Sequence, residues 1–137
     1  MTRKILFLCT GNSCRSQMAE AIVNHKLNGS WEAYSAGTMP VGYTHPKAIQ
    51  VLSEIGIEHQ GISKHVDQFR DQVFDRVITV CDSAAEECPV WLGSGFRQHI
   101  SFPDPAKATG PEDQILKVFR AVRDEIYQEI LRLLKAI

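Results

Sequence analysis

A cysteine and an arginine six positions apart, Cys9 and Arg15, offer the side chains best suited to chemistry near the start of the chain. Gly11 and Asn12 lie between them, and both tolerate the positive φ angles that turn backbone N–H groups inward into an anion-binding nest. The arginine adds a planar, permanently charged fork for two oxyanion oxygens. These groups and the hydroxyl of Ser16 are expected to favour the thiolate form of the cysteine. The spacing therefore predicts an oxyanion site that contains a nucleophilic sulfur.

Two more cysteines and an aspartate follow later apolar runs. Cys81 comes directly after the β-branched stretch 76–80, and Cys88 comes seven residues later, before a proline. Asp104 stands between two prolines, which restrict the backbone and hold a carboxyl group in place. The carboxyl ends of parallel strands share one edge of a sheet, so Cys81 and Asp104 are expected beside Cys9.

Short apolar runs alternate with longer helical patterns along the whole chain, which is typical of βαβ units and a parallel sheet. The predicted elements are strands at about 4–8, 32–36, 76–80 and 98–101, and helices at about 16–27, 46–55 and 112–136. The last helix has an apolar stripe at three- and four-residue intervals, which favours packing on the sheet over a dimer-forming coil. We expect one α/β domain over residues 1–137, and a monomer.

Composition excludes several classes of function. The chain of 137 residues has 15 lysines and arginines against 16 acidic residues, a formal net charge of −1. This balance offers no basic field for nucleic acid or an anionic membrane, so a bound anion must be held by a local site. The first apolar run, 5–9, is too short for a signal peptide or a membrane span. We expect a cytoplasmic protein, in which four cysteines favour reactive, redox or metal roles.

The stretch CTGNSCRS, from Cys9 to Ser16, resembles the loop of low-molecular-weight protein tyrosine phosphatases and of the arsenate reductases that share their fold. The resemblance extends to Asp104-Pro105 and the last helix. It implies three layers, with a four-stranded parallel sheet in the order 2-1-3-4 and helices on both faces. It also implies Cys9 as nucleophile, assisted by Ser16, and Asp104 as general acid. The residues expected to bind the oxyanion are Thr10, Gly11, Asn12, Ser13, Cys14 and Arg15.

The two branches of this family differ after the third strand. Arsenate and phosphate share shape and charge, but reducing As(V) to As(III) needs two electrons, which further cysteines can supply. The stretch VCDSAAEECP resembles the reductases, and typical phosphatases lack its two cysteines. Phosphatases usually have aromatic residues after the Asp-Pro pair, whereas 106–108 is Ala-Lys-Ala and offers little wall for an aryl phosphate. The resemblance therefore implies arsenate as substrate, phosphate or sulfate as analogues, and a relay from Cys9 to Cys81 to Cys88.

Formation of the Cys81–Cys88 disulfide is expected to change the local structure. A disulfide needs Cα atoms about 5.5 Å apart, whereas a largely helical 81–88 would place them roughly 10 Å apart. We therefore expect the segment to unwind on oxidation and move toward solvent, where a dithiol donor can reach it. Thioredoxin is favoured as this donor; glutaredoxin with glutathione, or a mycothiol system, would leave the same core residues. No bound cofactor is expected.

Some of the reductases bind potassium beside the loop through an asparagine, a glutamate, a serine and an acidic residue. Asn12, Glu20 and Ser35 match the first three, but Lys64 stands at the fourth position. We expect the Lys64 ammonium to take the place of the cation and to pair with Glu20, which supports the loop. A solvent-exposed lysine without this role is the alternative.

No metal site is expected, because no two cysteines form a C-x₂-C pair and the five histidines are scattered. Three functions remain open. The favoured one is a thiol-dependent arsenate reductase with residual phosphatase activity. A phosphomonoester or phosphotyrosine phosphatase would use only Cys9, Arg15 and Asp104. A non-enzymatic binder would capture a soft metalloid with its cysteines. Cys14 has no obligatory step in any of these.

Overall fold

The computed structural model describes residues 2–82 and 88–137. The strands and α-helices are β1 (Arg3–Cys9), α1 (Arg15–Lys26), β2 (Trp31–Gly37), α2 (Pro46–Ser53), β3 (Arg76–Thr79), β4 (Phe96–His99) and α3 (Glu112–Lys135). Two short 3-10 helices, Val66–Phe69 and Pro105–Lys107, lie before β3 and after β4. Among these described residues, no helix is long and apolar enough to cross a membrane.

The four strands form one parallel sheet in the order β2-β1-β3-β4, which confirms the predicted fold class and strand order. β1 is a central strand, in which Cys9 pairs with Gly37 of β2 and Leu8 pairs with Thr79 of β3. The predicted fourth strand, 98–101, is displaced, since β4 runs from Phe96 to His99. Most residues of this edge strand are exposed, so its sequence carries no apolar run that would mark its bounds.

One face of the sheet carries the larger core. Side chains along a strand point alternately to the two faces of the sheet, and those of Ile5, Phe7 and Ile78 point to this one. All three α-helices contribute buried side chains to the same core. The apolar stripe of α3 is buried there, as predicted, through Phe119, Val122, Ile126, Ile130, Leu131 and Leu134. These helices form one outer layer of the three-layer structure.

The opposite face carries a smaller core. Leu6, Leu8 and Val77 share it with the 3-10 helix Val66–Phe69 and with the buried ring of Trp91. Both faces of the sheet are therefore covered, as predicted, although the cover here is a 3-10 helix with connecting segments instead of an α-helix. The asymmetry places the carboxyl ends of β1 and β3 between a thick helical layer and a thin one.

Candidate active site

The end of β1 delivers Cys9 to the carboxyl edge of the sheet, and a short loop, 10–14, leads into α1. The Cys9 side chain is 2% exposed. Its sulfur accepts the backbone N–H of Asn12 at 3.2 Å and lies 2.8 Å from the Ser16 hydroxyl oxygen. Donors aimed at one sulfur stabilise negative charge on it. The arrangement suits a thiolate that attacks a bound electrophile.

Asn12 organises this loop. Its φ of 50° is the one positive value among the non-glycine residues that the structure describes. Its amide nitrogen donates to Ser16 at 2.7 Å, and its amide oxygen accepts the backbone N–H of Lys64 at 2.8 Å and the Gln17 amide at 3.2 Å. Of the two residues expected to adopt positive φ, only Asn12 does so, and Gly11 does not. The buried side chain thus fixes the turn that aims its own N–H at the sulfur.

Arg15, the first residue of α1, is 3% exposed and faces the segment after β4. Its Nη1 donates to the Phe102 carbonyl at 3.3 Å, and its Nη2 lies 3.6 Å from Oδ2 of Asp104. The other carboxylate oxygen of Asp104 accepts the N–H of Ala106 at 3.0 Å. The restricted Pro-Asp-Pro backbone is therefore not the sole constraint on the carboxyl group, because a hydrogen bond and a guanidinium also orient it.

A cavity of about 370 Å³ opens above the sulfur of Cys9. It is lined by the rest of the loop through Arg15, by Asp104 and Lys107, and by Met39 and Val41 from the segment after β2. Two cationic side chains make the cavity attractive to an anion. Met39 and Val41 were not predicted from the sequence, which lacks aromatic residues at 106–108. They give the mouth of the cavity one apolar side.

Cys14 lies in the same loop but in a different environment from Cys9. It is 3% exposed, and burial raises its pKa to about 12. The Ser13 hydroxyl, 3.6 Å from the sulfur, opposes this rise only in part. At neutral pH its sulfur is therefore a thiol and a weak nucleophile. This agrees with the expectation that Cys14 takes no obligatory part in the reaction.

Cys81 follows β3 at the same edge of the sheet as Cys9, because the N–H of Val80 continues the pairing by donating to Leu8 at 2.8 Å. It is fully buried and forms a disulfide with the half-buried Cys88, with Cα atoms 5.8 Å apart. This spacing suits a disulfide and is shorter than the helical alternative. The predicted unwinding concerns 81–88, of which residues 83–87 lie outside the described part of the chain. Within the described residues, neither cysteine lines the cavity above Cys9.

His99, the last residue of β4, lies beside this disulfide. One ring nitrogen and the sulfurs of Cys81 and Cys88 all lie within 4.8 Å of one another. Thr79 pairs with His99 in the sheet, and its hydroxyl oxygen is 2.7 Å from the Nδ1 atom. In the sequence the five histidines are scattered, and none of them was expected beside the cysteines. The register between β3 and β4, which no sequence pattern revealed, brings one of them to the cysteine pair.

Glu20 and Ser35 lie beneath the loop with Lys64. The Ser35 hydroxyl donates to Oε1 of Glu20 at 3.1 Å, and the Lys64 ammonium lies 4.0 Å from the same oxygen. The ammonium also donates to the Ile62 carbonyl at 2.8 Å. Burial raises the pKa of Glu20, while the charge of Lys64 opposes this rise. The side chain of Lys64 thus faces Glu20, whereas the contact to Asn12 comes from its backbone N–H.

Gln17 and His59, which sequence reasoning missed, complete this support. The Gln17 amide donates to the carbonyls of Asn12 at 3.2 Å and Ile62 at 2.9 Å. The Nε2 atom of His59 lies 2.7 Å from the Gln17 amide oxygen and 3.9 Å from Glu20. Burial and a nearby ammonium lower the pKa of His59, which favours the neutral ring. The two residues are 42 positions apart, so their contact left no local signal.

A cysteine at a strand end, beneath an anion loop closed by an arginine, defines an enzyme that forms covalent adducts with tetrahedral oxyanions. The model of the family "Low molecular weight phosphotyrosine protein phosphatase" matches residues 4–137, and the chain belongs to this family. The resemblance found in the sequence is thereby confirmed.

Relatives within this family point to one branch of it. The chain is 44% identical over 130 residues to an arsenate reductase of Shouchella clausii, with 92% of this chain and 91% of the relative covered. It is 45% identical over 132 residues to an arsenate reductase of Halalkalibacterium halodurans, with 95% and 94% covered. A solved structure described as an arsenate reductase in oxidized state is 28% identical, with a TM-score of 0.80 and 98% of each chain covered.

Proposed function

We propose that the protein is an arsenate reductase that passes two electrons through three of its cysteines. The observation that carries this proposal is the disulfide between Cys81 and Cys88 at the sheet edge where Cys9 also lies. Hydrolysis of a phosphate ester needs a nucleophile, a cation and an acid. Two further thiols, such as those of Cys81 and Cys88, have no part in it. The names of the two curated relatives support the same reading.

The first step is capture of arsenate by the loop. The N–H groups of residues 10–15 and the guanidinium of Arg15 bind the oxyanion, and the proposal is supported by the fact that these residues line the cavity above Cys9. The Cys9 thiolate then attacks arsenic, so that an S–As bond forms and an As–O bond breaks. Asp104 protonates the departing oxygen, which leaves as water or hydroxide. Arsenic is still As(V) after this step.

Reduction takes place when Cys81 attacks the sulfur of Cys9. An S–S bond forms, the S–As bond breaks, and its electron pair stays on arsenic, which leaves as arsenite. Cys88 then attacks Cys81, which releases the Cys9 thiolate and leaves the Cys81–Cys88 disulfide. The N–H of Asn12 and the hydroxyl beside Cys9 stabilise that leaving thiolate. The disulfide in this structure is thus the end state of one turnover.

The electron donor is a dithiol protein of the thioredoxin type, and the protein acts as a monomer in the cytoplasm. The donor attacks Cys88, because this sulfur belongs to a half-buried residue whereas Cys81 is fully buried. Val90 and Leu92, which are 68% and 78% exposed, follow Cys88 and provide apolar surface for docking. No bound prosthetic group takes part, since thiol–disulfide exchange carries both electrons.

The test is NADPH consumption by the reduced protein with arsenate, thioredoxin and thioredoxin reductase, with hydrolysis of p-nitrophenyl phosphate measured in parallel. The wild-type protein should consume NADPH in proportion to arsenate. The Cys88→Ser variant should lose steady-state NADPH consumption and keep its rate of ester hydrolysis. Unchanged NADPH consumption in this variant, or none in the wild type with any dithiol donor, would overturn the proposal.

A phosphatase is the second candidate, and the rim of the cavity favours it. Met39 and Val41 give the mouth an apolar side, on which the organic part of a phosphate ester can rest. The catalytic set of Cys9, Arg15 and Asp104 is complete for ester hydrolysis. This activity would be retained by the reductase as a side reaction. Rapid hydrolysis of phosphotyrosine peptides with no arsenate-dependent NADPH consumption would make it the principal function.

A further inference from the structure

We propose that reduction of the Cys81–Cys88 disulfide creates a zinc site that His99 completes. One ligand atom from each of the three residues already lies within 4.8 Å of the other two. Zinc binds thiolate at about 2.3 Å and imidazole at about 2.0–2.1 Å in tetrahedral geometry. Ligand atoms around such an ion are separated by about 3.3–3.8 Å, and the two sulfurs can reach that spacing once the bond between them is broken and their Cα atoms stay near the 5.8 Å of the disulfide. Zinc would thus hold the reduced segment in its unwound form instead of the helical one.

The strands supply two of the three ligands from fixed positions. His99 ends β4, and Cys81 comes two residues after the end of β3. The hydroxyl oxygen of Thr79 lies 2.7 Å from Nδ1 of His99. In the proposed site this hydroxyl holds Nδ1, and Nε2 would be the metal ligand. Metal-binding histidines commonly have such a partner on the other nitrogen, which fixes the tautomer and the ring orientation.

The burial of the three residues leaves a path for the ion. Cys81 is fully buried, Cys88 is half-buried and His99 is exposed, so the site would open toward solvent on the histidine side. Two thiolates and one imidazole form a ligand set that suits zinc and disfavours magnesium and calcium, which prefer oxygen ligands. With three protein ligands, the fourth coordination position stays open to water or an external ligand.

Formation of the site involves no change in the oxidation state of the ion. A dithiol or phosphine first reduces the disulfide to two thiols. Zinc then replaces the two thiol protons, so that two Zn–S bonds form and two protons are released. The oxidised protein has no thiolates at these positions and therefore cannot form the site, which makes binding of zinc specific for the reduced state.

Zinc at this site would occupy both relay thiols and leave Cys9 free. It would therefore inhibit arsenate turnover but leave hydrolysis of p-nitrophenyl phosphate at Cys9 unchanged. This inhibition rests on the proposed function, whereas binding of the ion does not. The two are measured separately, so that failure of one is distinguishable from failure of the other.

The binding experiment uses the full chain, reduced with a phosphine and freed of reductant without oxygen. Zinc is titrated in competition with a chromophoric chelator, and Co²⁺ serves as a spectroscopic substitute. We expect one zinc per chain, thiolate-to-cobalt charge-transfer absorption, and the visible bands of tetrahedral Co²⁺. The oxidised protein should bind neither ion at this affinity.

Variants identify the ligands. His99→Gln should weaken zinc binding at least about tenfold, the lower range for disturbing even an indirect metal contact. Cys88→Ser should abolish binding, and exposed His25 on α1 gives the matched control His25→Gln, which should bind zinc like the wild type. His99→Asn is the second variant if the first fails to fold.

Failure of reduced wild type to bind, or wild-type affinity in a folded His99 variant, would overturn the proposal. Tight binding without inhibition of arsenate turnover would support the site and contradict the relay.

Discussion

The loop around Cys9 and the disulfide of Cys88 lie at the same edge of the sheet but are held in different ways. In the loop, buried side-chain hydrogen bonds hold the turn, and Asn12 contacts both Ser16 of α1 and the backbone of Lys64. Cys88 is half-buried, is linked through its sulfur to Cys81, and precedes the exposed side chain of Val90. An anion needs donors that are in place before it arrives. A thiol that serves two partners in turn must instead be movable.

Replacement of Cys9 should have the largest effect, because both activities depend on its sulfur. We expect Cys9→Ser to lower arsenate reduction and p-nitrophenyl phosphate hydrolysis by a factor on the order of 10⁴ or more. Steady-state assays of both reactions measure this loss. Cys88→Ser is the comparison variant, since only reduction should fail there. If ester hydrolysis survives in Cys9→Ser, Cys9 is not the nucleophile, and the different roles given to the loop around Cys9 and to Cys88 are wrong.

Asp104→Asn should lower kcat for p-nitrophenyl phosphate by about 10²–10⁴, because the amide cannot donate a proton to the leaving oxygen as an acid does. The amide oxygen can still accept the N–H of Ala106, so the affinity for inorganic phosphate should stay within a few-fold. Asp113→Asn, at an exposed position in the first turn of α3, is the matched control. A normal kcat for Asp104→Asn would remove the aspartate from the acid role.

Asn12 tests how far the loop depends on being fixed in advance. Asn12→Ala loses the side-chain hydrogen bonds and keeps a φ of 50°, whereas Asn12→Gly loses the bonds but tolerates the angle. We expect both variants to bind phosphate more weakly, with the glycine variant more stable than the alanine variant by about 1 kcal/mol. Titration calorimetry and denaturant unfolding measure the two effects. The exposed Asn28→Ala is the control, and equal stability of the two Asn12 variants would argue against backbone strain.

Lys64 should make the reductase insensitive to the choice between potassium and sodium. Its ammonium, 4.0 Å from Glu20, already supplies positive charge beneath the loop. The Lys64→Asp variant should gain a several-fold activation by potassium over sodium at equal ionic strength. Rates are measured with arsenate in the two salts. Several-fold activation of the wild type by potassium would show that Lys64 does not replace the cation.

The smallest effect concerns stability against pH. Burial lowers the pKa of His59 below 6.5, so the unfolded chain binds more protons there than the folded one. Its contribution to stability is complete above pH 6.5 and is lost as the pH falls through the folded-state pKa. The raised pKa of Glu20 acts in the opposite direction, since its protonation favours the folded state as the pH falls.

His59→Gln should therefore reduce the loss of Tm between pH 6.5 and 5 relative to the wild type. Calorimetric melting across this range measures the difference. His25→Gln, which changes an exposed histidine of α1, should leave the wild-type pH dependence unaltered. An identical slope in His59→Gln and wild type would mean that this ring does not contribute to acid destabilisation.

The elements near the loop could be predicted from the sequence because their signals are local. The apolar run of β1, the residues Gly11 and Asn12, and the start of α1 lie within one short stretch. The predicted range of the fourth strand is displaced by two residues from the observed β4, because this exposed edge strand has no apolar run to mark its bounds. Gln17, His59 and His99 were missed for another reason. Their partners lie in distant parts of the chain, and only strand register and packing bring them together.

The depth of Cys9 has a consequence for selectivity in a cell rich in phosphate. A sulfur at the base of a polar cavity receives any tetrahedral oxyanion of suitable size, so phosphate should occupy the loop as readily as arsenate does. Discrimination then falls to the electron-transfer step, because phosphorus(V) does not oxidise thiols under these conditions. Phosphate would slow the reaction by competing for the loop, but each pair of electrons would still be delivered to arsenic.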